Sequence, residues 1–228
     1  MNADTGLLEK TIGYSFKDKG LLEQALSHPS YSAEAGLPRY KSNQRLEFLG
    51  DAVLELVISD YLYREHREAE EGRLTRQRQS LVFEAALAVC AERIGLGKFI
   101  RLGVGEAASK GYEKPSILSD TFEAVIGAVY LDGGYDAAKS FVHSFVTDSI
   151  DELTLLNDGK SLIQQYVQNK PGNTLSYNTD YVDKNDRERG FKADLLINDE
   201  VVSTGFGRSK KTAEQDAAGK ACRKLNIR

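Results

Sequence analysis

The chain has 228 residues, 41% of them hydrophobic, with 30 Lys+Arg against 34 Asp+Glu and a formal net charge of −4. That length allows one large or two modest domains, each able to bury a core, and only Cys90 and Cys222 are present, which excludes a disulfide scaffold. Met1–Phe16 has no apolar run of signal-peptide length and no stretch approaches about 18 apolar residues, so a soluble cytoplasmic protein with no membrane partner is expected.

In chain order, periodicity and composition predict helices over Leu7–Tyr14, Lys19–Ser27, Asn43–His66, Glu71–Ile94, Ser116–Leu131 and Tyr135–Leu153. Gly36, Pro38, Gly95, Gly97, Gly111, Pro115 and Gly133-Gly134 punctuate them. His28 is expected to organise a helix end, and His66 and His143 to lie exposed on helix flanks.

The third of these helices is the most informative. It places Glu47 and Asp51 one turn apart among Leu46, Phe48, Leu49, Val53 and Leu54. At about 100° per residue the two carboxylates lie roughly 40° apart and project from one face. Burying unpaired carboxylates costs several kcal/mol each, and two like charges also repel, so a cation is required. Arg73, Arg76 and Arg78 follow on the next predicted helix, where phosphate contact and plain solvation both remain open. Ser116–Leu131 then repeats the acidic pattern: Asp120 and Glu123 sit three apart in an apolar segment with no Lys or Arg between Pro115 and Leu131. Either Ser116 or Ser119 is a candidate cap for it.

Gly50 and Gly127 lie just beyond their respective acids, where glycine costs about 1 kcal/mol relative to alanine. A close approach of the two helices there would turn all four acids into one site. All-oxygen ligation suits Mg²⁺ or Mn²⁺ rather than zinc. Acidic pairs are also common on solvated helix surfaces, and spacing alone leaves both readings open.

Beyond Asp151–Gly159 the pattern changes. A helix is predicted over Ser161–Lys170, a break at Pro171-Gly172-Asn173, and β-runs over Leu175–Val182, Phe191–Ile197 and Glu200–Phe206. Turns are expected over 183–190 and 197–200, and an Ala-rich helix over Lys210–Leu225. The organisation is thus a helical domain over 1–154, a linker over 155–160 and a small α-β-β-β-α domain over 161–228. Charge follows the division: residues 1–156 hold 17 Lys+Arg against 24 Asp+Glu, a net of −7, whereas 157–228 hold 13 against 10, a net of +3. The basic half suits a polyanion. At its strongest motif, Gly205–Ala218, Ser209 is placed to cap a helix start crowded by Arg208, Lys210 and Lys211, a ready phosphate site. The eleven tyrosines are dispersed and form no ladder for stacking single-stranded bases.

Asn43-Gln-Arg-Leu-Glu-Phe-Leu-Gly-Asp51 resembles the signature segment of the ribonuclease III family, and Ser116–Asp132 resembles that family's second acidic helix. Ala25–Tyr31 and Glu71–Arg76 fall in the family's order, and the terminal domain resembles the double-stranded RNA-binding domain. The resemblance covers essentially the whole chain. It implies an all-α endonuclease domain followed by a small α+β RNA-binding domain, with Glu47, Asp51, Asp120 and Glu123 holding Mg²⁺ (Mn²⁺ substituting). Asp51 and Glu123 are the expected indispensable pair, and Glu71 and Gln44 are implied to shape the cleft. Gln44 departs from the family's usual Glu.

Phe48 matches a family position at the junction of a homodimer. Gln164 matches a residue that reaches the RNA minor groove. The loop between the first two strands lacks the family's Gly-Pro-x-His, so Arg187 or Arg189 is expected to serve there. The implied activity is metal-dependent cleavage of double-stranded RNA, with water attacking in line, leaving 5′-phosphate and 3′-hydroxyl ends with a short 3′ overhang. No organic cofactor is implied. The rival readings are an RNA-binding protein that has lost cleavage, and a hydrolase of small phosphoesters.

Overall fold

The computed structural model describes residues 5–182 and 190–227, without the side chains of 151, 152 and 154–158. The chain divides between Ile150 and Asp151 into two compact units. The first is helical: α1 (Thr5–Ile12), α2 (Lys19–Ala25), α3 (Pro29–Glu34), α4 (Gln44–Glu65), α5 (Glu71–Val82), α6 (Glu84–Arg93), α7 (Val104–Ala108) and α8 (Pro115–Phe145). Its core is apolar side chains of α4 and α8, among them Leu54, Val57, Ile58, Phe122, Val125, Ile126 and Val129, all fully buried. Helix α8 is buried on several sides, which explains why it shows so little polar face, whereas α4 leaves Phe48, Leu56 and Tyr63 exposed.

Two expectations change here. The single helix expected over Glu71–Ile94 is two, because Phe83 is extended (φ −75°, ψ 154°). No Gly or Pro marks that break. It lets α5 pack along α4 while α6 turns onto α8. Gly133-Gly134 does interrupt the long helix as expected: Gly134 has φ 80°, a left-handed value that glycine adopts without penalty. The Asp132 carboxylate beside it accepts from the Tyr14 hydroxyl (2.7 Å) and from the Lys17 and Asp18 amides (3.0 and 2.8 Å), tying the amino-terminal segment to α8. Neither serine caps α8. Pro115 occupies its first turn, and the Ser119 hydroxyl donates back to the Ser116 carbonyl at 3.0 Å.

His28 caps α3, its Nδ1 accepting from the Ser30 amide at 3.2 Å, as expected. His66 and His143 are half-buried rather than exposed: His143 pairs with the Thr147 hydroxyl at 2.8 Å and meets the Tyr61 ring edge-on.

In the second unit, α9 (Ile150–Gln168) runs through residues 155–160, expected as a linker, without interruption. Gly159 accounts for part of this: it is buried, and a Cβ there would lie 3.1 Å from the Gly219 amide nitrogen. The sheet is antiparallel in the order β1 (Leu175–Tyr181), β2 (Phe191–Ile197), β3 (Glu200–Gly207), followed by α10 (Lys210–Lys224). Asn198 and Asp199, at φ 51° and 64°, make the two-residue turn between β2 and β3, the conformation that a tight hairpin requires. Ile163 of α9, Ala193 and Leu195 of β2, and Ala213, Ala217, Ala218 and Ala221 of α10 share one core. A side chain at Gly205 would overlap the α10 backbone at Ala213 and Ala217, so helix and sheet pack almost backbone to backbone. No helix among the described residues is long and apolar enough to cross a membrane.

Candidate metal centre and RNA-binding surface

The two glycines decide the site. A Cβ on Gly50 would overlap the Glu123 carbonyl oxygen, and one on Gly127 would overlap the Leu46 carbonyl oxygen and lie 3.1 Å from the Gly50 amide nitrogen. Helices α4 and α8 therefore cross in near backbone contact at Gly50, between Glu47 and Asp51, and at Gly127, four residues after Glu123. The crossing brings carboxylate oxygens of Glu47, Asp120 and Glu123 within 4.8 Å of one another. Asp51, one turn further along α4, is exposed and stands outside this trio, yet its charge is the strongest electrostatic influence on Glu123.

Among the described residues no lysine or arginine forms an ion pair with any of the four, and His28 acts on Asp120 alone of them. Burial, then Asp51, Asp120 and Glu47, push Glu123 up to about 8. Burial raises Glu47 too, with Asp120 and Asp51 adding to it. Asp120 is raised by burial and next by Glu84, with His28 acting in the opposite sense. Three half-buried carboxylates converging without a counter-charge are a hard, all-oxygen donor set, which fits Mg²⁺ or Mn²⁺.

Glu84 was not anticipated. It starts α6, and without the break at Phe83 its position was illegible. Gln44, the first residue of α4, is exposed and one turn before Glu47. Glu71 is not brought to the acids: it lines a cavity of about 300 Å³ with Ser59, Leu62, Tyr63, Leu74, Thr75 and Arg78, and accepts from the Thr75 hydroxyl at 2.8 Å. At about 1.5 Å per residue, Tyr63 lies about 24 Å along α4 from Glu47. Arg78 is anchored to α4, donating to the Ser59 hydroxyl at 3.1 Å and lying 3.7 Å from Glu55. Arg73 and Arg76 are exposed. Phe48, between the two α4 acids, is 80% exposed.

A ribonuclease-III-like family profile matches residues 18–150, and a double-stranded RNA binding motif matches 160–225. The chain belongs to the ribonuclease III family. Among relatives of this family member, Ribonuclease 3 of Desulfotalea psychrophila is 48% identical over 223 residues, covering 95% of this chain and 91% of that protein. Ribonuclease 3 of Caldanaerobacter subterraneus is 43% identical over 223 residues, covering 96% and 97%. Among solved structures, the ribonuclease III nuclease domain of Campylobacter jejuni, 42% identical, superposes with a TM-score of 0.59 over 64% of this chain and 97% of that one. That domain shows structural flexibility in the region involved in its dimer formation.

In the family's RNA-binding half, Ser209 caps α10 through a reciprocal box with Thr212: its hydroxyl accepts from the Thr212 amide at 3.2 Å, and the Thr212 hydroxyl accepts from the Ser209 amide at 3.0 Å. Arg208, Lys210 and Lys211 are exposed around that helix start, and Gln164 is exposed on α9. Arg187 and Arg189 lie outside the described residues.

Proposed function

We infer that this chain is an endoribonuclease that cuts double-stranded RNA with divalent cations, Mg²⁺ first and Mn²⁺ as substitute. The observation that carries the reading is the convergence of Glu47, Asp120 and Glu123 without a basic partner, in a chain that also carries a double-stranded RNA-binding motif. A bound divalent ion supplies Lewis-acid polarisation of the phosphate and a water of low pKa. The chain's own groups do the rest. Glu47, Asp120 and Glu123 would hold the ion, and the exposed Asp51 would complete the set. Glu123, pushed up to about 8 on its own, would give up its proton to hold a cation. Asp51 and Glu123 are the pair whose loss is most damaging.

Residues 161–228 hold the duplex, with Gln164 at the minor groove and Arg208, Ser209, Lys210 and Lys211 on phosphates. Such domains read shape and 2′-hydroxyls over about 16 base pairs with little base readout. Products carry 5′-phosphate and 3′-hydroxyl ends with a short 3′ overhang, in processing and decay of cytoplasmic rRNA and mRNA.

A staggered cut needs two sites, and an exposed stripe on α4 supports a homodimer. Phe48, Leu56 and Tyr63, 80%, 57% and 74% exposed, fall within about 80° of one helix face, together with exposed Ala52. Pairing about a two-fold axis near Leu56 lays each Phe48 toward its partner's Tyr63 end. There each Glu71 and its cavity would face the other protomer's acids, which gives Glu71 and Gln44 their cleft-shaping place. Phe48→Ala should lower the sedimenting mass toward one chain, and an unchanged mass would remove Phe48 from the junction.

The activity is tested by incubating the protein with long duplex RNA, single-stranded RNA and duplex DNA, each with Mg²⁺ or with EDTA. Staggered cuts in duplex RNA alone, lost with EDTA, are expected. Tight duplex binding without cuts would favour a non-catalytic RNA-binding protein, and cleavage only of small phosphoesters would overturn the substrate.

A further inference from the structure

Both β1 and β3 are edges of the three-stranded sheet, and an edge strand offers unpaired N–H and C=O groups to any second strand. On β3 three of those groups are already taken. The Phe206 amide donates to Asp216 Oδ2 at 2.9 Å, Lys220 Nζ donates to the Thr204 carbonyl at 3.2 Å, and Lys224 Nζ donates to the Val202 carbonyl at 3.0 Å. Lys220 also bridges to Asp216 at 2.7 Å and stands 5.8 Å from the Phe206 ring centroid.

The spacing is regular. Asp216, Lys220 and Lys224 advance four residues at a time along α10, about 6 Å per step. Phe206, Thr204 and Val202 retreat two residues at a time along β3, about 6.6 Å per step. One helix ridge thus runs in register with one strand edge. Val202 also lies at a shift in register, since Leu195 pairs with Ser203 but Leu196 with Val201. Such a bulge twists an edge away from flat pairing.

We propose that Asp216, Lys220 and Lys224 form a latch closing the β3 edge against strand pairing with a second copy of this chain, so that the two lysines do not hold RNA. The latch sets the basic residues of α10 apart by task. Lys210 and Lys211 stand at the capped helix start, whereas Lys220 and Lys224 face the sheet edge.

The full chain carrying Lys220→Met with Lys224→Met keeps the aliphatic stems and removes the donors. Sedimentation should then show species heavier than the parent's, growing with concentration, and Lys220→Arg with Lys224→Arg should return the parental mass. Below the associating concentration, the slope of log RNA affinity against log salt should equal the parent's. In Asp216→Ala, hydrogen exchange at the Phe206 amide should accelerate about fivefold, as loss of one hydrogen bond allows. Lys224→Met alone is the milder variant should the double one unfold. Parental mass at every concentration in a folded Met variant, a shallower salt slope, or an unchanged Phe206 exchange rate would each overturn the latch.

Discussion

The α4–α8 crossing and the β3–α10 edge use acids in opposite ways. At the edge, Asp216 has Lys220 and a backbone amide, and nearby Asp194 is held below the usual carboxylate range by Lys192, with Thr204 adding to it. At the crossing, Glu47, Asp120 and Glu123 have one another, and all three are pushed up. The same contrast holds within the first unit, where Glu9 meets Lys19 at 2.5 Å and Asp60 meets Lys139 at 2.9 Å. Acids that serve the fold bring their partners with them. The trio at the crossing has no lysine or arginine partner among the described residues, and on the proposed reading a cation from outside the chain takes that place.

Breaking that contrast at Glu123 should have the largest effect. Glu123→Gln should lower cleavage at least about a thousandfold, the scale on which lost transition-state electrostatics acts, while duplex affinity stays near parental. The same variant, metal-free at pH 8, should be more stable than the parent by about 1 kcal/mol, after allowing for solvent around a partly exposed group. Calorimetry that found it less stable would mean that Glu123 is paired and holds no ion.

Next comes the crossing itself. Gly50→Val has no room against the Glu123 carbonyl and should destabilise by about 3 kcal/mol, read as a lower melting temperature with cleavage lost in step. Parental melting would mean that the helices stand further apart.

A smaller effect sharpens the comparison through pH. Glu123 is raised from 4.5 to about 8 in the folded protein, so between those values the unfolded chain ionises while the folded one keeps its proton. This contribution to metal-free stability is therefore full below about 4.5 and lost as pH rises through 8. Added Mg²⁺ should recover it at pH 8 with release of about half a proton per site, measurable as buffer-dependent heat of binding. Heat independent of buffer would contradict the shift.

The smallest effect is on the basic surface. Lys210→Ala with Lys211→Ala should weaken duplex binding and reduce the salt slope by about two. An unchanged slope would leave those lysines off the phosphates.

Glu47, Asp51, Asp120 and Glu123, the glycines beside them, the capped basic helix and the turn at Asn198-Asp199 were all legible from residue types at fixed spacing. Each depends on local geometry that the backbone imposes: a 3.6-residue period, a left-handed turn or a helix end. The break at Phe83, the continuous helix through 155–160 and the distance of Glu71 from the acids were not legible. Each is settled by what the segment packs against, and no local residue preference reports that.

By itself, then, the sequence determined which acids lie on the two apolar helices and which basic residues crowd the start of the terminal helix, because charge, size and period are written residue by residue. Only the tertiary structure decided that Asp51 stands at the rim while the other three converge, that the charge of Glu84 acts on Asp120, and that two of the terminal helix's lysines turn to the sheet edge. Those outcomes follow from the crossing of elements distant in sequence, where near backbone contact at Gly50 and Gly127 fixes distances that no local pattern encodes.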